Sequence, residues 1–233
     1  MEQNGRKNKM AQEKIAERIF DSVVKSYDAF LSSVTFGLIN KWQETLVQNT
    51  PVGKISVDLG TGTGEVIKKI KKSNPETFTI GVDVSQNMLL KAKEKLKNTN
   101  TAFVKASAYT MPFKNNSVNS ILMSLVFRHL DAEKAIPEFS RVLKKGGYVS
   151  ILDISKPHKI IFNSIFFFAN KIFRPVGQKI FTKEEYDYFM ESVLNSRKPQ
   201  ELEELFREYS FKKEYITTRF GGMVVIAVFK KEN

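Results

Sequence analysis

Apolar positions along this chain follow two periods, and the switching between them lays out the fold. Near the N-terminus Ile15, Ile19, Val23 and Tyr27 recur at four-residue spacing, and Leu38, Ile39, Trp42 and Leu46 form a second apolar stripe. Both predict amphipathic helices standing ahead of any strand. Pro51 and Gly53 break the pattern. Short apolar runs then alternate with helical stripes: "ISVDL", a Lys-rich helix, "FTIGVD", a helix led by Ser85 with Met88, Leu89, Ala92 and Leu96 inward, "AFVKA", "SVNSILMSL", a helix over "DAEKAIPEFSRVLKK", and "YVSILDI". Lys144 and Lys145 are expected in the last turn of that helix, with glycine ending it. Apolar strands separated by helices predict a parallel sheet covered on both faces.

The order changes after residue 155. "KIIFNSIFFFANKIF" is apolar nearly all round but too short and interrupted to span a bilayer, and "TKEEYDYFMESVL" opens with a Thr182/Glu185 capping box. "PQELEELFREY" is a further amphipathic helix, and "KEYITTRFGGMVVIAVFK" reads as two strands joined near Gly221 and Gly222, an antiparallel edge. The expected fold is α/β, doubly wound and Rossmann-like, with a mostly parallel seven-stranded sheet. One domain is expected over 1–233, with a helical cap at 1–50, a cofactor-binding core at 51–155, and substrate-side helices and a hairpin at 156–233.

Composition narrows the chemistry. The chain has no cysteine, which removes disulfides, thiolate metal sites and thiol nucleophiles, and only two histidines, His129 and His158, so no metal site is expected. The net charge of +12 favours a polyanionic partner, either nucleic acid or an anionic membrane face. Much of that charge lies in "KKIKKS" and "KAKEKLK", which read as solvated helix faces. The polar start "MEQNGRKNKMAQEK" has no apolar stretch of signal-peptide type, so a cytoplasmic location is expected.

The candidate chemistry starts at "ISVDLGTGTGEV", a strand followed by a Gly-rich turn and a helix start. A dinucleotide fingerprint wants a third small residue where this chain has Glu65, and a carboxylate there would face a pyrophosphate. S-adenosylmethionine has no phosphate and asks instead for a close turn and well-placed acids. Asp58 closes the strand, Gly60, Gly62 and Gly64 let the main chain approach the methionine end, and Thr63 adds a hydroxyl. Asp83 ends the second strand, about 20 residues on, where an acid holds ribose hydroxyls in doubly wound nucleoside sites. The alternative is an ordinary Gly-rich turn with Asp83 as a helix cap.

The stretches "FDSVVKSYD", "TFGLINKW", "VDLGTGTGE", "GVDVSQNML", "RVLKKGGYVSILDISKP", "RPVG", "YDYFMES" and "GGMVVIAVFK" run nearly end to end, and with them the chain resembles the ubiquinone/menaquinone biosynthesis C-methyltransferase family within the class I methyltransferases. The glycine loop and "RVLKKGG" are shared by most class I members; "DISKP", "RPVG" and "YDYFMES" are more particular to the quinone family. The resemblance implies methyl transfer from S-adenosylmethionine to a ring carbon of a prenylated quinol. It places Thr63, Asp83, Ser107, Ala108 and Ser124 against the cofactor, and Tyr186, Tyr188, Glu191 and Ser192 on the substrate side. Three departures stand out: Ser107 replaces an acid or amide, His129 follows Arg128 where relatives have asparagine, and a proline is missing before Glu191.

Methylating a ring carbon needs an ortho hydroxyl that is ionised or nearly so. Arg128 is the candidate for holding the phenolate, His129 for taking its proton, and Tyr27 for closing over the cofactor. Against these stand an Arg128 ion pair with Asp131 or Glu133, a helix-start role for His129, and ordinary packing for Tyr27 and the Tyr186 group. Rival functions are a methyltransferase for another small lipid or phenol, an RNA methyltransferase, and a non-catalytic cofactor-binding scaffold. The RNA reading lacks the Asn/Asp-Pro-Pro-aromatic signature after the fourth strand, so no nucleic acid is expected as partner. A greasy quinol stays in a bilayer, so the Phe-rich segment from Lys159 to Arg174 is a candidate membrane-facing surface, with core packing or a homodimer interface as alternatives.

Overall fold

The computed structural model describes residues 27–156, 192–194 and 196–232. Its sheet has seven strands in the order β3-β2-β1-β4-β5-β7-β6, with β1 Ile55–Leu59, β2 Phe78–Asp83, β3 Thr101–Lys105, β4 Val118–Ser124, β5 Leu143–Ile154, β6 Phe211–Arg219 and β7 Val224–Lys231. Strands β1 to β5 pair in parallel, while β7 is antiparallel to both β5 and β6. The expected antiparallel hairpin is therefore at the edge, with β7 inserted inside it and β6 outermost.

Among the described residues the helices are α1 Tyr27–Val34, α2 Leu38–Gln48, α3 Glu65–Ser73, α4 Gln86–Lys95, α5 Ala132–Val142 and α6 Pro199–Glu208. Two apolar clusters cover the two faces of the sheet. On one, Ile39, Trp42, Leu46 and Val47 of α2 meet Val66 and Ile70 of α3 over Leu122, Leu152 and Ile226. On the other, Ile136 and Phe139 of α5 and Phe206 of α6 cover Ile121, Met123, Ile151 and Phe229. Phe206 stacks on Phe229 with ring centroids 4.3 Å apart and stands edge-on to Phe211 at 5.6 Å.

One boundary differs from the sequence reading. Helix α5 stops at Val142, and Leu143 to Ile154 are extended, with Leu143 paired to Val118. Lys144 and Lys145 are thus strand residues. Besides Arg141 in the last turn, Lys231 of β7 reaches the carboxyl end of α5, its Nζ donating to the carbonyls of Ser140 at 2.8 Å and Leu143 at 3.0 Å. Tertiary contact supplies the cap that local charge was expected to give.

Candidate active site

The chain order turns back between β1 and β4: from β1 it steps outward to β2 and β3, and from β4 it steps the other way. That reversal opens a crevice at the carboxyl ends of the strands, the place where doubly wound sheets bind ligands. Four neighbouring strands end there in polar residues: Asp83 on β2, Asp58 on β1, Ser124 on β4 and Asp153 on β5. Adjacent strands lie about 4.8 Å apart, so the row crosses the crevice in roughly 15 Å.

On the β1–β2 side, Asp58 is 1% exposed and its Oδ2 accepts a 2.7 Å hydrogen bond from the Thr61 hydroxyl. Its Oδ1 is buried without a hydrogen-bond partner. Burial pushes the Asp58 carboxyl up to about 7, the nearby Asp83 charge adds to the rise, and the Thr61 bond opposes it. Asp83 uses both oxygens on backbone: Oδ2 accepts from Gly62 N at 2.8 Å and Oδ1 from Ser85 N at 2.9 Å. Ser85 is itself the N-cap of α4, accepting from Met88 N at 3.1 Å. Asp83 therefore ties the glycine loop to the start of α4, while the cap of α4 is Ser85 rather than Asp83.

The glycines divide by what they avoid. A Cβ on Gly60 would stand 2.3 Å from Val126 Cγ2, and one on Gly64 2.8 Å from Leu96 Cδ1. At those two positions a side chain would meet the protein's own Val126 and Leu96, and the left-handed backbone, φ 66° and 86°, favours glycine as well. Gly62, at φ 52°, remains as the loop residue tied to Asp83. The Thr63 hydroxyl donates to Asp28 Oδ1 of α1 at 2.6 Å. Asp28 in turn binds Lys95 at 2.5 Å, and Lys95 reaches Glu65 at 2.9 Å. Burial raises the Asp28 carboxyl, but the bonds from Lys95 and Thr63 outweigh it and hold the group below its usual range. This network clips α1 onto the glycine loop and both flanking helices.

Across the crevice, β4 runs into a tight turn. Leu125 takes φ 63°, rare for a branched residue, and Phe127–His129 form one turn of 3₁₀ helix. Ser124 accepts a 3.2 Å bond from Gln43 Nε2 of α2, where Gln43 is 7% exposed among apolar neighbours. The Arg128 side chain is 7% exposed, and its Nη1 lies 2.6 Å from Asp153 Oδ1 and 2.9 Å from the Leu125 carbonyl. Its Nε donates to the Ser192 hydroxyl at 3.3 Å, and its backbone N donates to Asp153 Oδ2 at 2.8 Å. The ion pair of Arg128 is thus with Asp153, not with Asp131 or Glu133, the partners named in the structural alternative. His129 is half-buried, and burial together with the Arg128 charge holds its imidazole well below the usual range, so it is neutral near pH 7.

Ser107 turns into its own loop, accepting from Tyr109 N at 3.2 Å, beside the buried Ala108. Tyr186, Tyr188, Glu191 and the Phe-rich segment lie outside the described residues, as does the side chain of Tyr27, whose backbone opens α1. Asp153, Gln43, Thr61 and Asp28 were missed from sequence. Asp153 carried the same signal as Asp58 and Asp83, an acid closing an apolar strand; Gln43 showed as a polar residue inside an apolar helix stripe. No group of three or more metal-ligating side chains occurs among the described residues.

S-adenosylmethionine fits this donor set. The orphaned buried oxygen of Asp58 can accept from a cationic amino group, Gly62 brings a backbone without a side chain, and Asp83 stands at the ribose position of such folds. A sequence model described as the ubiE/COQ5 methyltransferase family matches residues 7–231. The demethylmenaquinone methyltransferase of Staphylococcus aureus is 30% identical over 232 residues, covering 97% of this chain and 96% of that protein. Among solved structures, the methyltransferase bound to the Haloferax volcanii Trm112 activator superposes with TM-score 0.70 at 14% identity, covering 92% of this chain and 98% of that one. A SAM-dependent methyltransferase from Thermotoga maritima gives TM-score 0.63 at 20% identity, covering 92% and 99%.

Proposed function

The chain belongs to the ubiE/COQ5 methyltransferase family and is an S-adenosylmethionine-dependent methyltransferase; from that premise we propose that its acceptor is a ring carbon of a prenylated quinol of the demethylmenaquinol type. The observation that carries the reading is the match to a demethylmenaquinone methyltransferase at 30% identity over 97% of the chain. The buried Arg128–Asp153–Ser192 cluster beside the crevice supports it, because it supplies what a phenolic acceptor requires.

When bound, S-adenosylmethionine supplies an electrophilic methyl group. The protein's part is to make the ring carbon nucleophilic and to aim it. Asp153 and the Leu125 carbonyl take Nη1 of Arg128, and Ser192 takes Nε, so among the described residues Nη2 is the guanidinium nitrogen left to donate to the acceptor's hydroxyl oxygen. Because Asp153 already balances the charge, Arg128 acts through a directed hydrogen bond more than through net charge. It favours the ionised hydroxyl, whose electron density reaches the ortho carbon. His129, neutral and depressed, is a poor base for a phenol, so its share is to accept a hydrogen bond or relay the proton to water. Asp58 and Asp83 orient the cofactor half from the other side of the crevice; in this reading Tyr27 closes over the cofactor, and Tyr186, Tyr188 and Glu191 serve the acceptor side. The enzyme works from the cytoplasm at the inner membrane face in this reading.

Incubating the protein with methyl-labelled S-adenosylmethionine and a panel of demethylated naphthoquinols and benzoquinols, reduced and oxidised, tests the proposal. Label should enter the reduced prenylated acceptors only; transfer confined to unprenylated phenols would move the substrate class to small phenols.

A further inference from the structure

Two short tips of the chain share an unusual design. Thr35-Phe36-Gly37 joins α1 to α2, and Arg219-Phe220-Gly221 joins β6 to β7. At both, phenylalanine takes a positive φ, 51° at Phe36 and 52° at Phe220, a region that bulky residues avoid. Both rings face water: Phe36 is 79% exposed and Phe220 49%. Beside each, a Cβ on Gly37 or Gly221 would meet nothing within 4 Å, so both tips stand clear of the body.

The fold brings the tips to one rim. Leu38, two residues after Phe36, and Val224, four after Phe220, belong to the same apolar cluster, together with Trp42. The Phe220 ring sits 6.2 Å from that of Trp42, one helical turn past Leu38 on α2. Val224 pairs with Ile154 at the carboxyl end of β5, so the rim lies at the crevice end of the sheet. Lys41 and Arg219 are exposed next to the two tips, and the nearest acid on the helix, Glu44, stands almost a turn further from the rim than Lys41 does.

We propose that Phe36 and Phe220, on their paired Phe-Gly tips, are the point at which this protein docks on an anionic lipid bilayer. Convex rings exposed at two tips cannot enclose a small apolar ligand, since they touch it on one side only. A bilayer closes around such tips, taking the rings into the acyl boundary while Lys41 and Arg219 meet the headgroups. The charge of +12 favours an anionic face over a zwitterionic one. The inference rests on the proposed function only for its motive, access to an acceptor that stays in the membrane, and it can be tested without any acceptor.

Trp42 is the only tryptophan, so it reports on the rim directly. The full chain is mixed with vesicles of phosphatidylglycerol and phosphatidylcholine, and with vesicles of phosphatidylcholine alone, each with and without brominated acyl chains. Brominated phosphatidylglycerol vesicles should quench Trp42, and the double variant Phe36→Ser/Phe220→Ser should partition at least tenfold less onto anionic vesicles, with S-adenosylmethionine affinity and melting temperature unchanged. Binding to anionic vesicles that survives the double variant, or absence of binding in the unaltered protein, overturns the proposal. So does a double variant whose main effect in light scattering is to split a dimer, which would make the rim a contact between two copies. Failure to methylate any quinol, with vesicle binding lost in the double variant, would remove the substrate reading and leave the docking site standing.

Discussion

Arg128 and Asp153 form a buried ion pair at the crevice, 2.6 Å between Nη1 and Oδ1, with side chains 7% and 4% exposed. Asp153 also accepts from the backbone of Arg128 and of Ile154, so it ties the turn after β4 to the end of β5. Removing one charge from such a pair leaves the other stranded. Asp153→Asn is expected to lower unfolding stability by about 3 kcal/mol or more. Denaturant unfolding checks this, and a change below about 1 kcal/mol would mean that water reaches the guanidinium and shields it.

Arg128→Gln separates chemistry from cofactor binding. Turnover should fall far more than S-adenosylmethionine affinity, and raising the pH should restore part of it by ionising the acceptor hydroxyl without help. Steady-state rates across pH, beside calorimetric affinities, decide the point. A loss that is flat with pH would assign Arg128 to holding the turn together.

If Asp58 receives the cofactor's amino group, as proposed, cofactor binding is expected to be proton-linked. Its carboxyl sits at about 7 in the folded chain, against roughly 3.9 for a free aspartate. Across that window the native state keeps a proton the unfolded chain has lost, so this group's contribution to stability falls as pH rises, then levels above about 7. A cationic ligand favours the carboxylate and expels the proton. Affinity for S-adenosylmethionine should therefore rise with pH up to about 7, and binding heats near pH 6 should depend on the buffer's ionisation enthalpy. Asp58→Asn should lose that buffer dependence; wild-type heats that ignore the buffer would show Asp58 already ionised.

For Asp83→Ala we expect S-adenosylmethionine affinity to drop more than tenfold, about 1.4 kcal/mol or above. Both a ribose acceptor and the tether between Gly62 and Ser85 would be gone. Isothermal calorimetry measures it directly, and an unchanged dissociation constant would reduce Asp83 to a structural tie.

Gly60→Ala tests whether that glycine serves packing. The new methyl would lie 2.3 Å from Val126 Cγ2 on a backbone at φ 66°, so the variant should be destabilised strongly. Adding Val126→Ala should recover much of the loss, leaving the conformational cost of about 1–2 kcal/mol. If the second change recovers nothing in thermal unfolding, backbone conformation alone sets the requirement at Gly60.

The sequence disclosed what local pattern can encode. Strands β1 to β5 appeared as apolar runs, the C-terminal hairpin as two runs around Gly221 and Gly222, and Asp58 and Asp83 as acids closing strands. Contacts between distant segments were not legible. The partner of Arg128 lies 25 residues away on another strand, and two acids closer in sequence looked equally able to pair with it. That Val126 and Leu96 crowd Gly60 and Gly64 was not legible either, because their positions are fixed only by the folded sheet. Leu143 looked helical, and pairing with Val118 makes it extended.

The insertion of β7 between β5 and β6 bears on how the chain is made. β5 is complete at Ile154, yet among the described residues its second edge pairs with a strand that starts at Val224, 70 residues later (224 − 154). At a synthesis rate of roughly 5–20 residues per second, that apolar edge is unpartnered for several seconds on the ribosome. Such an edge invites pairing with other chains. Slower elongation between residues 154 and 224 should raise aggregation of this protein more than an equal delay placed before β1.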